Sequence, residues 1–217
     1  MTIDINVVKR ASGWLEPDAC ERLRAAARNA PADTAVVEIG AYRGKSTGWL
    51  ALGSSEGNRA PVFTVDCWDL RPADDWPADA PAYVQRYSDP SVEGDYRAHL
   101  DALEAREIVT PIKGFSQDVA KSWKKDGLPK VSVLFVDGSH FYDDVLADLR
   151  AWAPLLAPEA VIIMHDATAT NCDVMRAAED FFKTRQRRFD WQGREIVPWM
   201  KDGKDTQRRG TLTVRTK

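Results

Sequence analysis

The sequence predicts an α/β fold: a doubly wound, mostly parallel sheet of seven strands with an antiparallel hairpin at its C-terminal end. Three observations carry this. Short apolar runs alternate with stretches of helical period along most of the chain, the pattern of a parallel sheet covered on both faces. Several of those runs end in an acid, which delivers charged groups to one rim of such a sheet. The last two runs have little helix between them, so they close as a hairpin.

The elements follow in order. Glu16 to Ala30 reads as a helix, with Pro17 and Asp18 at its start and Leu23, Ala26 and Ala27 at helical spacing. Ala35 to Ile39 is the first strand, followed by a helix from Ser46 to about Ser54. Pro61 to Asp66 is a second buried strand. Cys67 to about Pro90 is rich in Pro, Asp, Trp and Tyr and is long for a connection, so it is expected to be a lid-like loop. Asp95 to Arg106 is helical, Ile108 to Ile112 a strand, and Phe115 to Lys124 a helix. Val131 to Asp137 is a fourth strand, and Phe141 to Leu156 an amphipathic helix with Val145, Leu149 and Trp152 on one stripe. A turn at Pro158-Glu159 precedes a fifth strand, Ala160 to Met164, which ends at His165-Asp166. A helix from Asp173 to Arg185 leads to strands near Arg194 to Trp199 and Gly210 to Arg215, with Gly203 in their turn.

With 217 residues the chain suits one domain with a full core, with residues 1–33 as an N-terminal helical cap and 67–94 as the lid. Hydrophobic residues make up 44% and charged residues 29%, and the net charge is −3, so bulk electrostatics point away from a nucleic-acid partner. The start of the chain lacks the charged-then-apolar pattern of a secretory signal, and no apolar run is long enough to span a bilayer. Cys20, Cys67 and Cys172 are scattered and odd in number, which favours reduced thiols and a cytoplasmic location.

Glu38, Asp66, Asp137 and His165-Asp166 all fall at strand ends, so four strands deliver acids or His to one rim. Core packing does not ask for this, because a buried unpaired charge is costly. The sharpest local signal is Val36 to Thr47, a strand-loop-helix corner containing Glu38, Gly40, Tyr42, Gly44, Lys45 and Ser46. A phosphate-binding P-loop needs four residues between its glycine and the Gly-Lys-Ser, and here Ala41, Tyr42 and Arg43 are one short. Glu38 would also repel a triphosphate, whereas it suits a cationic or amine-bearing ligand. The alternative is an adenosine corner, where glycine lets the backbone approach a ligand.

Glu38-Ile39-Gly40-Ala41-Tyr42-Arg43-Gly44-Lys45-Ser46 resembles the first motif of class I S-adenosylmethionine (SAM) methyltransferases, whose fold is Rossmann-like, and of the catechol O-methyltransferase type in particular. Gly114-Phe115-Ser116-Gln117-Asp118 resembles a further segment of the same enzymes. Asp137-Gly138-Ser139-His140-Phe141-Tyr142 with His165-Asp166 resembles a bacterial subgroup that includes macrocin and mycinamicin sugar O-methyltransferases. The resemblance spans Val36 to Ala167 and implies SAM as cofactor.

By that resemblance, Glu38, Gly40, Tyr42 and Ser46 lie near the aminoacyl end of SAM, aided by the positive helix N-terminus after Gly44. Asp66 accepts the ribose hydroxyls, Ser116 and Gln117 meet the adenine edge, and Asp137 borders both cofactor and acceptor. Asp137, His165 and Asp166 are the expected ligands of a divalent cation, Mg²⁺ first. His165 departs from the acid expected there, and an imidazole shifts preference towards Mn²⁺ or Zn²⁺. His140 stands where the catechol type has its catalytic lysine, and with an ordinary pKa near ~6.5 it is the expected general base, assisted by Asp137. His99 reads as a surface His.

The expected partner is a small-molecule acceptor, carbohydrate or phenolic, with Trp68, Trp76, Tyr83 and Tyr87 able to stack on either. A homodimer is left open, and no membrane or nucleic-acid partner is expected. Competing readings are an NTPase, favoured by the Walker-B-like run Val133 to Asp137, and a SAM-fold binding module without catalysis. Nucleic-acid modification is a third, from Arg185, Arg187, Arg188, Arg208 and Arg209.

Overall fold

The structure, a computed structural model, describes residues 2–68, 91–169, 172–201 and 204–217, and for 198–201 and 204–209 the backbone alone. Within them, seven strands form one sheet in the order β3-β2-β1-β4-β5-β7-β6. The strands are β1 (Ala35–Ile39), β2 (Val62–Asp66), β3 (Val109–Lys113), β4 (Val131–Val136), β5 (Leu156–Met164), β6 (Glu195–Lys201) and β7 (Lys204–Arg215). β1 to β5 pair in parallel, and β7 runs antiparallel to both β5 and β6. This is the predicted class, hairpin included.

The helices are α1 (Ile5–Arg10), α2 (Pro17–Asn29), α3 (Lys45–Glu56), α4 (Ser91–Ala102), α5 (Ser116–Trp123), α6 (Tyr142–Trp152) and α7 (Val174–Lys183). Alternation along the strands divides them between two cores. Val37, Ile39 and Leu134 pack with Trp123, Trp152 and Phe181 from α5, α6 and α7. Val36, Val133 and Phe135 pack with Val8, Leu23, Leu50 and Tyr96 from α1 to α4. Both faces are thus buried, which is why β1 and β4 read as continuous apolar runs.

The sequence did not reveal α1, which is too short to show a period. It is set by Asp4, whose side chain accepts the Asn6 N–H at 2.8 Å. α4 begins at Ser91 rather than Asp95. α6 stops at Trp152 rather than Leu156, because Pro154 sits in a single 3-10 turn, Ala153–Leu155. β5 therefore starts at Leu156, and the expected Pro158-Glu159 turn is an irregularity inside it: Glu159 has φ 58 and the register with β4 shifts. Most of the expected lid, with Trp76, Tyr83 and Tyr87, and the Gly203 turn lie outside the described residues. Among the described residues no helix is long and apolar enough to cross a membrane.

Chain order across the sheet reverses at β1, between β2 and β4. Open α/β sheets form their ligand crevice beyond the carboxyl ends at this point. One close contact fixes the layer beside it: a Cβ on Gly53 of α3 would collide with the Arg24 carbonyl of α2. Gly53→Ala must push the two helices apart. We expect a loss of about 1–3 kcal/mol in urea unfolding. An unchanged midpoint would show that the helices separate at no cost.

Candidate active site

The β1–α3 loop is built around close backbone contacts. Gly40 has φ 85, and a Cβ there would collide with the Asp137 carbonyl oxygen and lie 2.7 Å from Gly138 Cα. Glycine at this position lets the loop lie flat against the end of β4. The Asp137 N–H donates to the Ile39 carbonyl at 2.9 Å and seals that contact. Tyr42 at φ 47 and Gly44 at φ 88 then turn the chain into α3, whose N-cap Gly44 supplies no side-chain cap.

Two expected cofactor acids hold this loop from inside. Asp66 Oδ2 accepts the N–H groups of Ala41 and Tyr42 at 2.9 Å each, and its Oδ1 accepts that of Trp68 at 2.8 Å. Burial nonetheless pushes the Asp66 carboxyl up. Glu38 is fully buried and turns towards the first turn of α3, where Thr47 Oγ1 donates to its Oε2 at 2.5 Å and Ser46 adds a further hydrogen bond. Its Oε1 is buried with no hydrogen-bond partner among the described residues. Burial pushes the Glu38 carboxyl up to about 8. Glu38, Ser46 and Asp66, expected near a ligand, each have protein partners as well.

The same holds at the start of α5. Ser116 Oγ accepts the Trp152 indole N–H at 2.8 Å, and the Gln117 amide donates to Asp148 at 2.6 Å. Asp148 is buried on α6, and desolvation pushes its carboxyl up to about 6. Tyr42 stacks on Trp14, ring centroids 5.3 Å apart. Trp68 corrects an expectation: it is buried, its indole N–H donates to the Tyr42 carbonyl at 3.1 Å, and it packs on Tyr96, so it is not a stacking surface for an acceptor. His99 is not on the open surface either. It sits partly buried against α3, with Nε2 3.1 Å from where a Gly48 Cβ would stand.

The chemistry-bearing groups converge where β4 and β5 end. Asp137 Oδ1 lies 3.2 Å from His165 Nδ1 and 3.8 Å from His140 Nε2. Asp166 Oδ2 lies 3.2 Å from His140 Nε2 and 3.5 Å from His165 Nδ1. Asp166 has φ 51, and its Oδ1 is buried with no hydrogen-bond partner among the described residues. Burial alone would lower His140, but the hydrogen bonds to Asp137 and Asp166 outweigh it and raise it to about 9. Burial opposes the charge on His165 as well, and the carboxylates around it overcome that and hold it far above its ordinary value. Asp137 and Asp166 are in turn held below the usual carboxylate range by the two imidazoles, against the effect of burial.

The sequence missed Glu16. It is the buried N-cap of α2, and its Oε2 lies 2.8 Å from His165 Nε2. Beside Pro17 and Asp18 it reads only as a helix-start acid, and nothing local signals a partner so distant along the chain. The Asp137, His165 and Asp166 ligand atoms lie within 4.8 Å of one another, as a shared cation needs. With its far nitrogen tied to a carboxylate, His165 can present Nδ1 in the way outer-shell acids orient metal-binding imidazoles.

Residues 37–167, more than half of the chain, match a family described as a methyltransferase domain. A segment of 36 residues is 53% identical to the uncharacterized protein y4gI of Sinorhizobium fredii (strain NBRC 101917 / NGR234), covering 17% of this chain and only 4% of that protein's length. Among solved structures, an O-methyltransferase from Bacillus cereus in complex with SAH is similar over 98% of this chain and 87% of that one, with TM-score 0.68 and 14% identity. TomG, an O-methyltransferase from Streptomyces achromogenes involved in tomaymycin synthesis and solved with SAM, is similar over 94% and 81%, with TM-score 0.65 and 15% identity. An rRNA methylase from Streptococcus thermophilus is similar over 94% and 99%, with TM-score 0.61 and 10% identity. At these identities the likeness establishes the fold.

The buried Glu38 makes stability fall with pH. Its carboxyl is raised from 4.5 to about 8, so across that window the folded chain keeps a proton that the unfolded chain releases. Glu38→Gln removes the term and is expected to flatten the stability difference between about pH 5 and 8 by at least ~1 kcal/mol. Urea midpoints at both pH values decide it, and equal slopes for the two proteins would refute a protonated Glu38.

Proposed function

Because the chain belongs to the methyltransferase-domain family, we propose that it moves a methyl group from SAM to a hydroxyl of a small molecule. A sugar or glycosylated metabolite is the first acceptor class, and a phenol the second. The observation that carries the reading is the convergence of Asp137, Asp166 and His140 at the reversal point of the sheet, beside the Gly40 loop. A rim of carboxylates, one oxygen of which is buried without a partner, fits a positively charged ligand. When bound, SAM supplies a sulfonium-activated methyl: its S–C bond breaks as the acceptor O–C bond forms, and the hydroxyl proton leaves.

The chain's own residues position and deprotonate. The Gly44 end of α3 presents unsatisfied N–H groups to a carboxylate. Tyr42, stacked on Trp14, walls the same side. Asp66 accepts the ribose hydroxyls and Ser116 and Gln117 meet the adenine edge, while all three also hold the loop and the start of α5 in place. His140 takes the acceptor proton at Nε2. Raised to about 9 it keeps its own proton at neutral pH, so the base form requires positive charge to arrive beside Asp137 and Asp166. Asp137, His165 and Asp166 are the residues that would hold a divalent ion, whose charge would acidify a nearby hydroxyl. The imidazole in that set favours Mn²⁺ over Mg²⁺.

Of the arginines behind the nucleic-acid reading, Arg187 is exposed and two others have contacts within the fold. Arg185 donates to the Phe181 carbonyl at 2.8 Å and covers that ring, and Arg188 donates to the Ala153 carbonyl.

The test is an acceptor screen with labelled SAM, with and without EDTA, alongside SAM and ATP binding. SAM binding without ATP binding is expected, and the reverse would favour an NTPase. His140→Ala should lower kcat by about 10²–10⁴ with SAM affinity retained. An unchanged rate would remove His140 as the base. Turnover that survives EDTA would remove the metal.

A further inference from the structure

We propose that His140, Asp166 and Cys172 form a binding site for a zinc-class divalent cation, sharing Asp166 with the Asp137–His165 pair but differing from it by a sulfur donor. One imidazole nitrogen, one carboxylate oxygen and one thiol sulfur lie within 4.8 Å of one another. They come from three segments that the fold ties together. His140 follows β4, Asp166 follows β5, and Cys172 precedes α7. The Asp173 N–H, next to Cys172, donates to the His140 carbonyl at 3.0 Å and keeps the first and third segments in register.

Asp166 supplies the independent observation. It is held at φ 51, a costly conformation for a residue with a side chain, and its Oδ1 is buried with no hydrogen-bond partner among the described residues. A buried carboxylate oxygen without a partner carries a desolvation cost that a cation would remove.

Sulfur fixes the class of ion. Magnesium and calcium take oxygen ligands, whereas a thiolate with an imidazole and a carboxylate selects zinc and cobalt. Three protein donors leave a fourth position for water or another group. On binding, the Cys172 S–H proton passes to solvent, the thiolate sulfur bonds the ion, and one imidazole nitrogen of His140 donates its lone pair to it. If His140 is the base, zinc in this site inhibits methyl transfer. That consequence rests on the proposed function, and the site itself does not.

Cobalt(II) is the probe, added to the full chain and followed by absorption. The wild type should give a sulfur-to-cobalt charge-transfer band in the near ultraviolet, reversed by stoichiometric zinc. Cys172→Ser and Cys172→Ala should both lose the band, with unchanged circular dichroism. Cys20→Ser, Cys67→Ser and Asp137→Asn should keep it. No band in the wild type, survival of the band in both Cys172 variants, or its loss in Asp137→Asn would overturn the site. A band in a chain that transfers no methyl group would sink the functional reading and leave the site standing.

Discussion

Glu16, Asp137 and Asp166 are three carboxylates drawn into one largely buried rim, and they cannot stay charged there without positive charge between them. Desolvated like charges either take up protons or gather cations. Here two imidazoles meet the demand. His165 is gripped on both ring nitrogens, by Glu16 on one side and by Asp137 and Asp166 on the other. The sheet order makes this possible, because β4 and β5 are parallel neighbours whose ends lie side by side. Neutral His140 and His165 with a divalent ion, or two imidazoliums without one, give the same net charge beside three carboxylates.

Around that centre the backbone is fixed from several directions at once. The Gly40 loop lies against the Asp137–Gly138 backbone, closely enough that no side chain fits between them. Asp66 accepts two of the loop's N–H groups, those of Ala41 and Tyr42, and that of Trp68 beyond β2, and Glu38 pins the start of α3. Left-handed conformations at Tyr42, Trp68 and Asp166 sit on this same rim, although Arg59, Glu104 and Glu159 show that strain is not confined to it. Such positions persist only where surrounding contacts over-determine them. Methyl transfer needs its donor and acceptor held in line, and the function proposed for this rim would draw on that rigidity.

The seven-stranded, mostly parallel sheet, its closing hairpin and the four acid-bearing termini were legible in the sequence, because buried parallel strands leave continuous apolar runs and the chain must turn at their ends. The side-chain assignments were less so. Asp66 and Glu38 sit where expected in the chain, yet their oxygens face backbone and hydroxyl donors, since a motif fixes position and not the direction of a carboxylate. Trp68 read as a loop aromatic and is core, because its indole fills the space over Tyr96. Glu16 was invisible for a different reason. Its partner His165 lies 149 residues away, and only the docking of α2 brings them together.

That docking gives the N-terminal segment a part in the site. Lys45, the residue that makes the first motif look like a P-loop, donates to the Gly13 carbonyl at 3.0 Å. The next residue, Trp14, stacks on Tyr42, and Glu16 reaches His165. Within four positions the chain touches α3, the β1–α3 loop and the end of β5. The segment expected as an N-terminal cap also runs past the rim where β4 and β5 end. The lysine that suggested nucleotide chemistry holds that segment in place, through its hydrogen bond to Gly13.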